Sequence, residues 1–175
     1  MFTPNTPKIY IACLSAYVSG YLHGKWVDAT LDVEDIQEEI KEILSTSPVP
    51  DAEEHAIHDY DNFYEAGSYL GEYPDLEKVV EVARMIEEHG KLAAKLVSHL
   101  SGDVSEAARV LEEDYIGVYE SVADYVEEFS RQCHEIPEWL EFYIDWESMA
   151  DDWEMSGDIF TIEMNYQEIH IFWNR

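Results

Sequence analysis

Between Val33 and Ile43 the apolar residues Val33, Ile36, Ile40 and Ile43 recur at intervals of three and four, while Glu34, Asp35, Glu38, Glu39 and Glu42 fill the positions between them with Lys41 as the one cation. That spacing follows one face of a helix. DVEDIQEEIKEIL therefore predicts an amphipathic helix, closed by the prolines of STSPVP. Ahead of it, KIYIAC and YLHGKWVD are short runs rich in Tyr, Ile, Val and Trp with a Ser-Gly turn signal between them, and they predict two antiparallel strands. EEHAIHDYDNF, after the prolines, predicts a short strand running into a polar loop.

From Pro74 the texture changes. Leu76, Val79, Val80, Ala83 and Ile86 form a second helical stripe that Gly90 ends. KLAAKLVSHLSGD and VSEAARVLEED predict further short helices, divided at Gly102. Five of the ten cations (Lys78, Arg84, Lys91, Lys95 and Arg109) lie here, so this stretch reads as a near-balanced helical bundle with i,i+3 pairs such as Glu81–Arg84 available. ESVADYVEEFSRQ predicts a helix, and IPEWLEFYIDWESMADDWEM a longer one with Pro137 in its first turn. DIFTIEM and EIHIFW alternate as strands do, joined by a tight turn at NYQ. The expected fold class is α+β, with an N-terminal α/β domain carrying a small antiparallel sheet over residues 1–66, a helical bundle over 67–113 and a C-terminal α/β domain over 114–175.

Charge changes this picture more than any motif. The chain has 39 Asp and Glu against 10 Lys and Arg, a formal net charge of -29 over 175 residues. An aromatic content of 13% sets it apart from disordered acidic tails. The imbalance is segregated, for no Lys or Arg occurs between Arg131 and Arg175. On a single helix, Trp139, Phe142, Tyr143, Trp146, Ala150 and Trp153 would share a broad face. Glu138, Glu141, Asp145 and Asp152 would line one flank of that face, and Glu147, Asp151 and Glu154 the other. The aromatics, Trp146 and Trp153 among them, are expected in the core, with part of that face or the strand EIHIFW left to meet another molecule. The acids exceed what an ordinary mixed-sign surface carries. Direct binding to nucleic acid or anionic lipid is excluded as a first reading, and a strongly basic partner is expected instead.

Two cysteines, Cys13 and Cys133, form no CxxC pattern, which favours a reduced cytoplasmic protein. The N-terminal stretch lacks the charged and apolar regions of a signal peptide, and no apolar run reaches the ~20 residues a membrane span needs.

Four functions compete for the carboxylates. Acid–base catalysis by a carboxylate pair has no specific signal among 39 acids, and no P-loop, nucleophile elbow or dinucleotide loop is present. Metal binding would draw on His55, His58 and Asp59, yet histidines three apart in a strand or loop point apart; one is expected at the surface and the other partly buried. No segment matches a calcium loop, so neither metal nor cofactor is expected. Adaptation to high salt would spread the charge over the whole surface. Imitation of a polyanion explains the segregation. B-DNA carries one phosphate per ~1.7 Å of axis, so 29 charges correspond to about 15 base pairs. Carboxylates on successive helical turns lie ~5–6 Å apart, as a phosphate row roughly requires.

IPEWLEFYIDWESMADD resembles the antirestriction motif of the ArdA family through Pro137, Tyr143, Asp145, Trp146, Glu147, Ala150 and Asp152. AIHDYDNF is similar to that family's central segment at Asp59 and Tyr60, and KIYIACLSAYVSGYLHGKWVD to its opening through Tyr10, Ile11, Tyr17, Gly20, Gly24 and Trp26. The three blocks fall in family order. The chain departs at Asp151, where the family often has Arg, and its middle shares little recognisable sequence. The resemblance implies an elongated DNA mimic, not an enzyme, that dimerises through its C-terminal domain and inhibits type I restriction–modification enzymes. It would occupy the basic groove of their methyltransferase core. The carboxylates expected to meet that groove are Glu34, Asp35, Glu38, Glu39, Glu42, Glu112, Glu113, Asp114, Glu127, Glu128 and those of residues 138–154. The alternative is an acidic binding protein for another basic DNA- or RNA-binding protein.

Overall fold

A computed structural model describes residues 5–175; residues 1–4, the start of the expected first domain, lie outside the described residues. The chain forms two compact units, the first ending at Ala107 and the second spanning Ala108–Arg175. Each contains a three-stranded antiparallel sheet with helices, so the fold class is α+β.

In the first unit, β1 (Lys8–Cys13) lies between β2 (Gly24–Asp28) and β3 (His55–Asp61), antiparallel to both. Its central position explains the apolar run, since Ile9, Ile11, Ala12 and Cys13 are all buried. The strands β1 and β2 are not joined by a bare turn, because Leu14–Val18 forms a short helix, α1, before the chain reverses at Gly20 (φ +84°). The amphipathic helix is present as α2 (Val33–Ser45), and its Ile36, Ile40 and Ile43 are buried where it packs on β1 and β2. After β3 the polar loop is in part a 3-10 helix, Tyr64–Tyr69. The helices α3 (Leu76–His89) and α4 (Lys91–His99) pack on each other, turning at Gly90 with φ +61°, a conformation glycine adopts without a steric penalty. Arg84 on α3 binds Asp32 (2.7 Å) and the Thr30 carbonyl (3.1 Å), the segment that leads into α2, so it is committed to a tertiary contact and not to the local pair expected with Glu81.

The helix α5 (Val104–Glu113) leads to β4 (Tyr115–Tyr119), a strand that sequence patterning does not predict. YIGVY is short, and the pairing of β4 with its neighbour shifts between Tyr115 and Gly117, which breaks the alternation that would betray it. After α6 (Val122–Cys133), the expected long helix is two pieces, α7 (Glu138–Glu141) and α8 (Trp146–Ser156). The interruption has a local cause: Asp145 adopts extended backbone (φ −94°, ψ 92°), and its carboxylate accepts from the Ser148 N–H at 3.0 Å, starting α8 afresh. Gly157 closes α8 in left-handed conformation at φ +80°. The hairpin of β5 (Ile159–Asn165) and β6 (Glu168–Trp173) completes a sheet of order β4-β6-β5.

Part of this unit's core lies between α6, α8 and the β5–β6 hairpin. Val122, Tyr125, Val126, Ala150, Ile159 and Ile171 form a buried cluster, with Trp146, Met149, Trp153, Ile169 and Trp173 packed against it. Tyr125, Phe129, Trp153 and Trp173 meet mostly edge to face, with ring centroids 5.5 to 6.3 Å apart. Burial pushes the Tyr125 hydroxyl up to about 12. Cys13 is buried and Cys133 exposed, and both are free thiols.

Candidate functional site

Two acidic surfaces are formed by helices, of which α2, α6 and α8 bury residues of their opposite faces. On α2, burial of Ile36, Ile40 and Ile43 turns Glu34, Asp35, Glu38 and Glu42 outward, with Glu39 half-buried. Lys25 on β2 reaches Glu39 at 2.5 Å and Glu42 at 3.2 Å, so the charge of this row is partly compensated from the sheet. Those hydrogen bonds raise the Lys25 pKa.

On the second unit, Glu112, Glu113, Glu128, Glu138, Asp145, Glu147, Asp151, Asp152 and Glu154 are exposed, and Glu127 and Glu141 half-buried. Arg131 bridges Glu127 on its own helix and Glu141 on α7, tying the short helix to α6. Arg109 pairs with Glu113 at 3.5 Å. Among the described residues no cation pairs with Glu34, Asp35, Glu38, Glu138, Glu147, Asp151 or Asp152. Asp114 departs from the expected set. It is 1% exposed and bound to Arg109 at 2.6 Å, so it is a buried structural carboxylate and cannot meet a partner's cations.

The break at residues 142–145 also overturns the single aromatic face. Trp146 and Trp153 are half-buried on the core cluster, and Ala150 is within it. Trp139, Phe142 and Tyr143, by contrast, are exposed, at 71%, 89% and 75%. Phe142, Tyr143 and Trp146 line an open groove together with Asp124, Glu127 and Asp145. Ser121 caps α6, its hydroxyl accepting the Asp124 N–H at 3.1 Å and donating to the Asp124 carboxylate at 2.7 Å. Hydrogen bonds from the Ser148 N–H and hydroxyl hold the Asp145 carboxyl below the usual aspartate range. Ser121 and Ser148 are the signals that separate these helix-capping acids from purely surface ones; both are readable as S-x-x-D and D-x-x-S.

His58 is exposed and His55 half-buried, with burial lowering the His55 pKa. Among the described residues no group of three or more His, Cys, Asp or Glu is placed to hold a metal ion. None of their helices is long and apolar enough to cross a membrane. Exposed carboxylates on rigid helices, with aromatic rings beside them and few internal cations, can make many simultaneous ionic contacts with a basic surface.

A family model described as Antirestriction protein (ArdA) matches residues 9–168. The chain belongs to the ArdA antirestriction family. The match runs from within β1 to the first residue of β6, so it takes in both units and both acidic surfaces. A comparison with curated proteins finds no match. In this ArdA protein the seven residues of the resemblance divide by position: Ala150 and Trp146 belong to packing, Pro137 and Asp145 to the starts of α7 and α8, and Tyr143, Glu147 and Asp152 to the surface.

Proposed function

We propose that this ArdA protein is a DNA mimic that inhibits type I restriction–modification enzymes by occupying the DNA-binding groove of their methyltransferase core. The observation that carries the reading is the pair of carboxylate surfaces on α2 and on α6–α8, where side chains such as Glu34, Asp35, Glu38, Glu147, Asp151 and Asp152 lack a cationic partner among the described residues. A net charge of -29 attracts a basic groove over long range and repels nucleic acid. The contacting set is Glu34, Asp35, Glu38, Glu39, Glu42, Glu112, Glu113, Glu127, Glu128, Glu138, Glu141, Asp145, Glu147, Asp151, Asp152 and Glu154. Binding uses no cofactor and no turnover, and the protein acts in the cytoplasm, where its target works. A three-part division at residues 66 and 113 remains our functional description, with the C-terminal part forming a homodimer. The exposed Trp139, Phe142 and Tyr143 are apolar enough to support that dimer.

The test is binding to a purified type I enzyme at low and raised salt, with target duplex as competitor. Tight, salt-sensitive binding displaced by the duplex is expected. Binding that duplex leaves undisturbed would favour the second reading, an acidic partner for a different basic surface.

A further inference from the structure

We propose that a groove in the first unit, formed by Tyr17, Val18, Glu54, His58, Glu72 and Tyr73, receives one arginine side chain from the surface of a basic partner protein. The inference rests on reading the chain as a binder of basic surfaces, but it adds a discrete anchor where the acidic rows offer only diffuse charge. Tyr17, Val18 and Tyr73 are 55%, 85% and 71% exposed, an unusual outlay of apolar surface for side chains within one groove. Glu54 and Glu72 are exposed on its rim, and no Lys or Arg lines it among the described residues.

The walls are anchored. The Leu14 N–H donates to the Glu54 carbonyl at 3.0 Å, joining the start of α1 to the entry of β3. On the other side the Ile57 N–H donates to the Glu72 carbonyl at 2.9 Å, and the Tyr60 hydroxyl to the Gly71 carbonyl at 2.7 Å. Both glutamates are thus carried on backbone held to the sheet, with their carboxylates left outside these bonds. The Tyr17 ring meets His58 edge-on at 4.9 Å, which fixes one aromatic wall. A guanidinium is planar, weakly hydrated and able to stack on a tyrosine face while donating to carboxylates at its edge. An ammonium gains the charge contact without the stacking. Tyrosine already meets a cation elsewhere in this unit, where the Lys91 ammonium sits 5.3 Å from the Tyr64 ring centre.

The test uses the full chain and a blocked Gly-Arg-Gly tripeptide, with Gly-Lys-Gly as comparison, followed by nuclear magnetic resonance. Saturable shifts of the Tyr17, His58 and Tyr73 ring signals are expected, with the lysine peptide binding more weakly. Glu54→Gln/Glu72→Gln should weaken arginine binding about five-fold, and Tyr17→Leu/Tyr73→Leu should erase the preference for arginine. Glu87→Gln/Glu88→Gln on α3 removes the same charge elsewhere and should change neither. Equal binding of both peptides, or shifts that ignore the groove variants, would overturn the proposal. A chain that binds the arginine peptide yet inhibits no type I enzyme would leave the groove standing and remove the DNA-mimic reading. Inhibition without peptide binding would do the reverse.

Discussion

Arg109 and Asp114 form an ion pair at 2.6 Å, five residues apart, where α5 gives way to β4. Asp114 is the one buried carboxylate among the described residues. Its backbone joins the same junction, since its carbonyl accepts from the Trp173 N–H at 2.9 Å and its N–H donates to the Val110 carbonyl at 3.0 Å. No hydrogen bond reaches its Oδ1, although Arg175 lies 3.7 Å away. A charge so placed depends on its partner. Arg109→Ala should destabilise the second unit by about 3 kcal/mol, because it leaves a buried carboxylate with only the exposed and more distant Arg175 to balance it. Urea unfolding followed by tryptophan fluorescence measures this, since Trp146, Trp153 and Trp173 all pack on that core. An unchanged midpoint would show that Asp114 is solvated in solution.

Gly24 makes a different, purely steric demand. It faces Ala12 across the β1–β2 ladder, and a Cβ there would meet the Ile11 carbonyl oxygen at 2.5 Å and the Tyr10 ring at 2.9 Å. The ring can turn, but the carbonyl belongs to the central strand. Gly24→Ala should therefore cost about 2 kcal/mol. Gly20→Ala is the contrast, for its Cβ would meet nothing within 4 Å and the penalty comes from φ +84° alone. Thermal unfolding of the two variants, with a crystal structure of the first, separates crowding from backbone strain.

These two residues show what patterning can and cannot reveal. The stripes of α2 and α3 and the alternation of β5 and β6 are readable because each buries one continuous face. Asp114 reads as a third surface acid in Glu112–Glu113–Asp114, since only the fold brings Arg109 round to it. The single helix from Glu138 fails for a local reason: periodicity alone continues through Phe142–Asp145, whereas the Asp145–Ser148 cap restarts the chain. The D-x-x-S pattern of that cap stands in the sequence, but periodicity alone does not read it. The carboxylate rows were accessible from charge alone; the Lys25 and Arg131 clamps that partly neutralise them required the structure.

Acid should weaken the second unit through His170. The Tyr115 hydroxyl lies 2.8 Å from its Nδ1, and burial lowers its pKa below 6.5 against the opposing pull of Glu168. The folded ring therefore holds its proton less tightly than the unfolded one. Its contribution is complete above pH 6.5 and is lost as pH falls through the lower folded value. Urea midpoints measured from pH 8 to 5 should fall in the acid limb, and His170→Gln should flatten part of that fall. A slope unaffected by the substitution would assign the acid sensitivity to other groups.

Asp145 and Glu147 are two residues apart in the motif and should behave oppositely. Asp145 accepts from the Ser148 N–H at 3.0 Å and its hydroxyl at 2.9 Å, so besides standing exposed it has a structural part in starting α8. Glu147 is exposed in the first turn of that helix. Asp145→Ala should lower the thermal midpoint, whereas Asp145→Asn should retain most of the cap, because an amide oxygen can accept the same bond. Glu147→Gln should leave stability unchanged and weaken inhibition only about two-fold, as expected of one exposed ionic contact among many. Pairing melting curves with inhibition at two salt concentrations distinguishes the roles. If the DNA-mimic reading holds, successive losses at Glu147, Asp151 and Asp152 accumulate and reduce the salt dependence step by step. Complete loss of inhibition from Glu147→Gln alone, with the fold intact, would point to one discrete contact and not to a distributed imitation of phosphates.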